Sequence, residues 1–483
     1  MLENINRKPR VILVVPPRTI LKSSIKRCCT PIGLAYIAAV LEKENIDIEI
    51  LDSYAEGYNN EKDIGNGYIR VGLSENNIKS RIKNFNPDFV GVTCVFSSEI
   101  TNTINICKLV KTVDSNIKVV VGGLHPSNYF SETLDMCPEI DFIILGEGEY
   151  RFLKLIKGER EFDGLVISKK RRVIPSRTRI QDLDSMPFPA RHLLKMDIYI
   201  NINKHKSPYP KRERTEQILT SRGCPGRCIF CSSGRFWGHN FRTRNPENVI
   251  AEIKQLIKDY NIQEFQFTDD SMTLDMERAI KIFDMMKPLN VSFCMANGVF
   301  VNSLTKELIK KMKEAGCYQI TFSVESGSKK SLRLMKKNVD LDRVKPLVDY
   351  AKKLGINCHA AFVLGIPGEE IEDIKKSFRF ASYCDFDSVS FFIVSPLPGS
   401  ELYDTCLSKG YLTDLSFQQL DFKSANINNP DLPSDLLEKL IRNEKTYFII
   451  RYLLKHPFNF FKQYGIFMLK NPKKIPKVFG RAT

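Results

Sequence analysis

Ser221-Arg-Gly-Cys224-Pro-Gly-Arg-Cys228-Ile-Phe-Cys231-Ser-Ser233 sets three cysteines at C-x3-C-x2-C spacing, directly after a strand-like run at 216–220. Gly223, Pro225 and Gly226 disfavour a regular helix and let the loop curl so that three thiolates converge. An iron–sulfur cube takes four cysteine thiolates. Three leave one iron with an open position, as catalytic zinc sites keep one position free. A structural zinc ion is the alternative reading, with His239 or Cys294 as its fourth ligand. The usual zinc pattern pairs two C-x2-C knuckles, and the chain has no second one.

Downstream, strand-like and helix-like segments alternate. Helices are predicted over 245–260, 274–286, 305–315, 342–354 and 371–383, and strands over 264–270, 291–298, 318–327, 357–364 and 388–395. With the strand before the cysteine loop these make six β/α units, a partial TIM-like barrel spanning 215–405. Polar residues recur where strands end: Asp269 and Asp270, Asn297, Glu325 and Ser326, and Glu369. Any one of them could cap a helix. Their repetition at successive strand ends points instead to a shared site.

The cysteine loop, with Phe230 at the aromatic position of C-x3-C-x-aromatic-C, resembles the cluster motif of the radical S-adenosylmethionine (SAM) superfamily. The resemblance implies a [4Fe–4S] cluster on Cys224, Cys228 and Cys231 whose open iron is chelated by SAM. An electron then cleaves SAM to methionine and a 5′-deoxyadenosyl radical. It also implies that Asp269 and Asp270 lie at the SAM amino group, and Glu325 and Ser326 at the ribose hydroxyls, with Asn297 and Gly365 at neighbouring strand ends. An external electron donor such as flavodoxin or ferredoxin is implied too.

Residues 1–150 read as a separate α/β unit. Strands are predicted at 10–15, 47–52, 88–96, 118–123 and 141–149, with helices at 31–42, 77–86 and 100–112 between them. This alternation predicts a doubly wound parallel sheet, with a ligand over the strand C-termini where Pro17, Phe96, Gly122, Gly123, His125 and Glu147 collect. There is no G-x-G-x-x-G after the first strand, so a dinucleotide is not expected. The pieces Pro31-Ile-Gly-Leu-Ala-Tyr36, Gly122-Gly-Leu-His-Pro126 and Gly146-Glu-Gly-Glu149 resemble the cobalamin-binding domain that precedes many radical SAM domains. The cobalt-ligating Asp-x-His-x-x-Gly of methionine-synthase-type domains is missing. The resemblance is therefore to the subgroup that holds cobalamin without a histidine ligand. His125 either packs in a turn or contacts the corrinoid.

Residues 151–214 read as a connector with a β-like piece at 165–168 and a basic hairpin tip at 169–172. Residues 406–483 form a basic, helical extension. From Lys445 to the end there are basic residues and no acidic one, interleaved with Tyr447, Phe448, Ile450, Leu454, Phe458 and others. Two readings stand: a membrane-surface element, or a helix that packs its aromatics on the barrel and its lysines in water.

Composition sets the frame. The chain has 483 residues, 43% hydrophobic and 27% charged, with a formal charge of +16. No nucleic-acid module accompanies that charge, so nucleic acid is not the expected partner. Thirteen cysteines without a disulfide framework, no leader-like start and no run of about 18 apolar residues predict a cytoplasmic protein. The leading functional expectation is cobalamin-dependent methyl transfer to an unactivated carbon or phosphorus of a small-molecule or lipid-like substrate. The alternatives are a radical oxidation, cyclisation or carbon–carbon coupling, or a non-catalytic corrinoid-binding module. An RNA methylthiotransferase is disfavoured, because the N-terminal half has no second three-cysteine cluster.

Overall fold

A computed structural model describes residues 7–168, 172–207, 210–412 and 425–461. The N-terminal sheet contains β1 (Arg10–Val15), β2 (Asp47–Asp52), β3 (Phe89–Thr93), β4 (Lys118–Gly122), β5 (Phe142–Ile144), β6 (Leu165–Ile167) and β7 (Arg172–Val173), in the order β7-β6-β5-β4-β3-β1-β2. Strands β2, β1, β3, β4 and β5 pair in parallel. β1 is apolar from Val11 to Val15 because both of its faces are buried there. Val11, Leu13 and Val15 pack with the helix Ile32–Lys43, while Ile12 and Val14 pack with the helices Glu75–Phe85 and Ile100–Val113.

The sheet does not stop at residue 150. The segment read from sequence as a connector supplies β6 and β7, which pair antiparallel with β5 and with each other. A small antiparallel sheet of Arg18–Leu21, Tyr68–Val71 and Glu61–Gly65, which the sequence did not announce, branches off after β1.

The second unit is a six-stranded parallel sheet: β8 (Thr215–Ile218), β9 (Glu264–Phe267), β10 (Ser292–Val299), β11 (Cys317–Glu325), β12 (Asn357–Leu364) and β13 (Ser388–Ile393), in chain order. The crossover helices are delimited by local chemistry. Thr305 caps the helix Lys306–Glu314 by accepting from Leu308 N–H. Gly316, at φ +105°, then turns the chain into β11 where a side chain would strike the Val291 carbonyl. The outer layer locks through aromatic rings, with Phe283 stacked on Phe293 at 5.2 Å and Phe267 edge-on to Phe293 at 5.3 Å.

The helix Ser434–Lys455 lies on this barrel. Leu437, Ile441, Phe448 and Tyr452 are buried. Tyr452 donates to Asp387 at 2.8 Å, Arg451 donates to the Ser382 carbonyl at 2.6 Å, and Lys455 pairs with Asp385 at 2.8 Å. Its other side carries exposed Tyr447, Ile450 and Leu454, continued by Phe458 and Phe461. The basic residues from Lys462 to Arg481 lie outside the described residues. Among those described, no helix is long and apolar enough to cross a membrane.

Candidate active site

The cysteine loop is held over the C-terminal ends of the barrel strands. Ile229 donates its N–H to Met335 O at 3.0 Å and accepts from Leu402 N–H at 2.8 Å. Ile229 and Phe230 pack against the cluster formed by Met335, Ile366, Val394 and Leu402. Gly226 passes so close that a Cβ there would stand 3.3 Å from the Cys224 sulfur. Ser271 donates to that sulfur at 3.2 Å. All described cysteines are free thiols. Burial raises the pKa of Cys228 and carries that of Cys231 to about 12, so metal coordination is what would hold these sulfurs as thiolates.

Among the described residues, no three His, Cys, Asp or Glu side chains converge closely enough to hold one metal ion. A tetrahedral zinc site draws its sulfurs to within about 4 Å of each other. A cube held at three corners does not need that convergence. Of the zinc alternative's fourth ligands, Cys294 is fully buried in the barrel wall, whereas His239 meets the Gly226 carbonyl through Nδ1 at 3.1 Å, a bond that leaves Nε2 uninvolved. The donor set fits a cluster.

Between the two units lies a cavity of about 960 Å³. Cys231, Phe230, Asp270 and Asn297 line it from the barrel, and Phe96, Gly122, Gly123 and Glu147 from the N-terminal sheet. These eight sequence-predicted residues are brought together across domains. The other candidates lie outside the lining. Asp269 and Asp270 split: both follow the end of β9 at Phe267, and Thr268 and Asp270 reach the cavity while Asp269 points into the core. There Asp269 accepts from Thr220 N–H at 3.0 Å, Thr220 Oγ1 at 2.7 Å and Ser221 Oγ at 2.6 Å, which braces the strand leading into the cysteine loop.

Glu325 pairs with Lys337 at 3.1 Å at a strand end whose φ of +65° is costly for a residue with a Cβ. Lys337 in turn stands close enough to Cys228 to lower its pKa against the effect of burial. Ser326 meets Ser377 at 2.9 Å, and Gly365 donates to Glu369 at 2.7 Å. Burial lifts Glu369 to about 7. Pro17 is buried beside Gly72. Of the three loop cysteines Cys231 lines the cavity, while Cys224 and Cys228 are half-buried outside the lining.

His125 is buried, meets Ser97 Oγ at 2.9 Å, and stacks on Tyr129. Burial drops its pKa to about 4. No histidine lines the cavity among the described residues. Gly123, at φ +119°, lets the chain after β4 run against the Cys94 carbonyl, where a Cβ would stand 2.4 Å away. The glycine-built wall leaves the strand ends open to a bulky cofactor such as cobalamin, and Cys231 of the cluster loop shares the same cavity.

Sequence reasoning missed what joins the halves. Glu147 accepts from Arg222 at 2.8 Å and from Arg242 at 3.0 Å, and Glu149 takes the other arm of Arg222 at 2.6 Å. Arg222 and Arg242 are cross-strand neighbours, and their like charges are offset by Glu147 between them and by Glu149 on Arg222. Across the opposite rim, Tyr129 meets Tyr403 edge-on at 5.4 Å. A Cβ on Gly399 would collide with Asn128 at 2.4 Å. The Gly146-Glu-Gly-Glu149 signal marked the first of these contacts without revealing its partners.

Comparison with known proteins agrees with this architecture. Residues 18–156 match the B12 binding domain and residues 218–381 the radical SAM superfamily. The chain is 35% identical to cytidylyl-2-hydroxyethylphosphonate methyltransferase of Streptomyces wedmorensis, over 88% of this chain and 87% of that protein. It is 30% identical to an uncharacterized methyltransferase of Pyrococcus horikoshii, over 98% and 99% of the two chains. Among solved structures, the cobalamin-dependent SAM radical enzyme OxsB superposes with a TM-score of 0.72 at 17% identity, covering 96% of this chain and 71% of that one. The radical SAM methyltransferase TsrM of Kitasatospora setae superposes with a TM-score of 0.65 at 17% identity, covering 83% and 75%. The chain belongs to the cobalamin-binding radical SAM methyltransferases.

Proposed function

We propose that this enzyme methylates an unactivated carbon or phosphorus atom of a small molecule enclosed between its two units. The observation that carries the reading is the shared cavity, with Cys231 in one wall and Gly122 and Gly123 in the other. When bound, the [4Fe–4S] cluster supplies the electron that cleaves SAM and cobalamin supplies the methyl group. Cys224, Cys228 and Cys231 are assigned to hold the cluster, and Asp270 and Asn297 to meet SAM. The chain's own work is positioning and exclusion of water: Ile229 fixes the loop height, and the Glu147–Arg222 pair fixes the sheet against it. The Streptomyces relative acts on a nucleotide-linked phosphonate, which supports a compact polar acceptor. Flavodoxin or ferredoxin is the proposed reductant. The test supplies methyl-deuterated SAM and a reductant to the loaded enzyme. Labelled methylcobalamin with 5′-deoxyadenosine is the expected result. SAM cleavage that leaves the corrinoid unlabelled would favour radical oxidation or cyclisation instead.

The exposed Tyr447, Ile450, Leu454, Phe458 and Phe461, followed by the basic residues from Lys462, support a peripheral contact with an anionic membrane. Leu454→Glu with Phe458→Glu should abolish co-sedimentation with anionic vesicles. Undiminished sedimentation would remove the proposal.

A further inference from the structure

Among the described residues, four cationic side chains line the cavity: Arg18, Arg27, Lys206 and Arg222. Two are neutralised within the protein. Arg18 pairs with Glu99 at 3.1 Å, and Arg222 with Glu147 and Glu149 at 2.8 and 2.6 Å. Among the described residues, no carboxylate forms an ion pair with either Arg27 or Lys206. Lys206 makes one hydrogen bond, to Asn297 Oδ1 at 2.6 Å, out of the three its ammonium can donate. It is recessed enough that desolvation pulls its pKa below the usual lysine range, with Arg27 pressing the same way and Cys29, Asp270 and Asp269 opposing. Arg27 lines the same cavity but stays exposed; neither cation is paired among the described residues, the two repel each other, and Lys206 loses hydration. An anion entering from the cavity relieves both costs. Neither residue belongs to a strand end: Arg27 precedes the helix Ile32–Lys43, and Lys206 follows the helix Met196–Ile202 in the segment between the units.

We infer that Arg27 and Lys206 form an anion subsite for the methyl acceptor, and that the acceptor carries a phosphate or phosphonate group. The inference rests on the methyl-transfer reading. A carboxylate is satisfied by one guanidinium fork, whereas a tetrahedral phospho group carries more charge and three oxygens. It engages a fork and a separate ammonium together. The group could belong to a free small molecule or to a lipid headgroup, and the probes separate these.

The experiment is calorimetric titration of the cluster- and cobalamin-loaded enzyme, with SAM present. The probes are methylphosphonate, inorganic pyrophosphate and dihexanoyl phosphatidic acid. Wild type should bind at least one of them. Arg27→Ala and Lys206→Ala should each weaken it about tenfold or more, and Lys206→Arg should retain it. Preference for phosphatidic acid assigns the phosphate to a headgroup, and preference for the water-soluble probes assigns it to a free metabolite. Cobalamin content and SAM affinity should be the same in wild type and variants. Equal anion affinity in wild type and both alanine variants, or no binding of any probe, would overturn the subsite. So would loss of SAM affinity in Lys206→Ala, because the lysine would then serve the SAM carboxylate. Anion binding that depends on both cations, in an enzyme that never labels its corrinoid from SAM, would fail the methyl-transfer reading while leaving the subsite standing.

Discussion

Glu147, on the loop leaving the last parallel strand of the N-terminal sheet, accepts a 2.8 Å hydrogen bond from Arg222, two residues before the first cysteine of the cluster loop. Both side chains are almost fully buried, so the pair is neither screened by salt nor free to fluctuate. It couples the height of the cobalamin-side wall to the position of the cluster loop.

Removing the carboxylate charge should therefore be expensive. Glu147→Gln leaves Arg222 sharing Glu149 alone and Arg242 without its carboxylate. Breaking one partner of a buried pair costs about 3–5 kcal/mol. Urea denaturation should show that loss at neutral pH, together with reduced cluster content. A variant as stable as wild type would mean the two units are held elsewhere.

Gly123→Ala should destabilise the cobalamin-side wall. The residue sits at φ +119° and its Cβ would meet the Cys94 carbonyl at 2.4 Å. Strain of this kind costs about 1–3 kcal/mol. The measurements are thermal unfolding and corrinoid retained after reconstitution, and both should fall.

His125→Gln should leave corrinoid binding and the cob(II)alamin electron paramagnetic resonance spectrum unchanged. It should also alter acid sensitivity in a defined window. Burial holds the folded-state pKa of His125 at about 4, against about 6.5 in the unfolded chain. Between those values the unfolded state binds a proton that the folded state refuses. Stability is thus lost as pH falls from about 6.5 to about 4, by at most about 1.4 kcal/mol per unit. The variant should have a shallower slope there. His359, also held at about 4, keeps its own share. A changed nitrogen hyperfine pattern would make His125 a cobalt ligand.

How much of this was legible depended on whether a signal was local. The strands Arg10–Val15, Asp47–Asp52 and Asn357–Leu364 were readable to the residue, because buried apolar runs bounded by turn residues admit few alternatives. The strand Glu61–Gly65 was not: all five of its side chains are exposed, so nothing in its pattern marks a face. Leu165–Ile167 was seen as β-like, but antiparallel addition to a parallel sheet leaves no local trace. Reading Asp269 with Asp270 as one functional pair missed that Thr220 and Ser221 hold Asp269 in the core while Asp270 faces the cavity. The Glu147–Arg222 pair and the approach of Lys206 to Asn297 join residues 75 and 91 positions apart. Such pairings are set by how the two units dock, which no local spacing encodes.

The account stands most directly on the three-cysteine loop. The measurement is 5′-deoxyadenosine released from SAM under reducing, anaerobic conditions, with iron counted on the same samples. Reconstituted wild type should hold about four irons per chain and release the nucleoside. Cys228→Ala should lose both while its far-ultraviolet circular dichroism stays that of wild type. Full SAM cleavage by the Cys228→Ala protein would contradict the assignment of the loop and, with it, the radical mechanism.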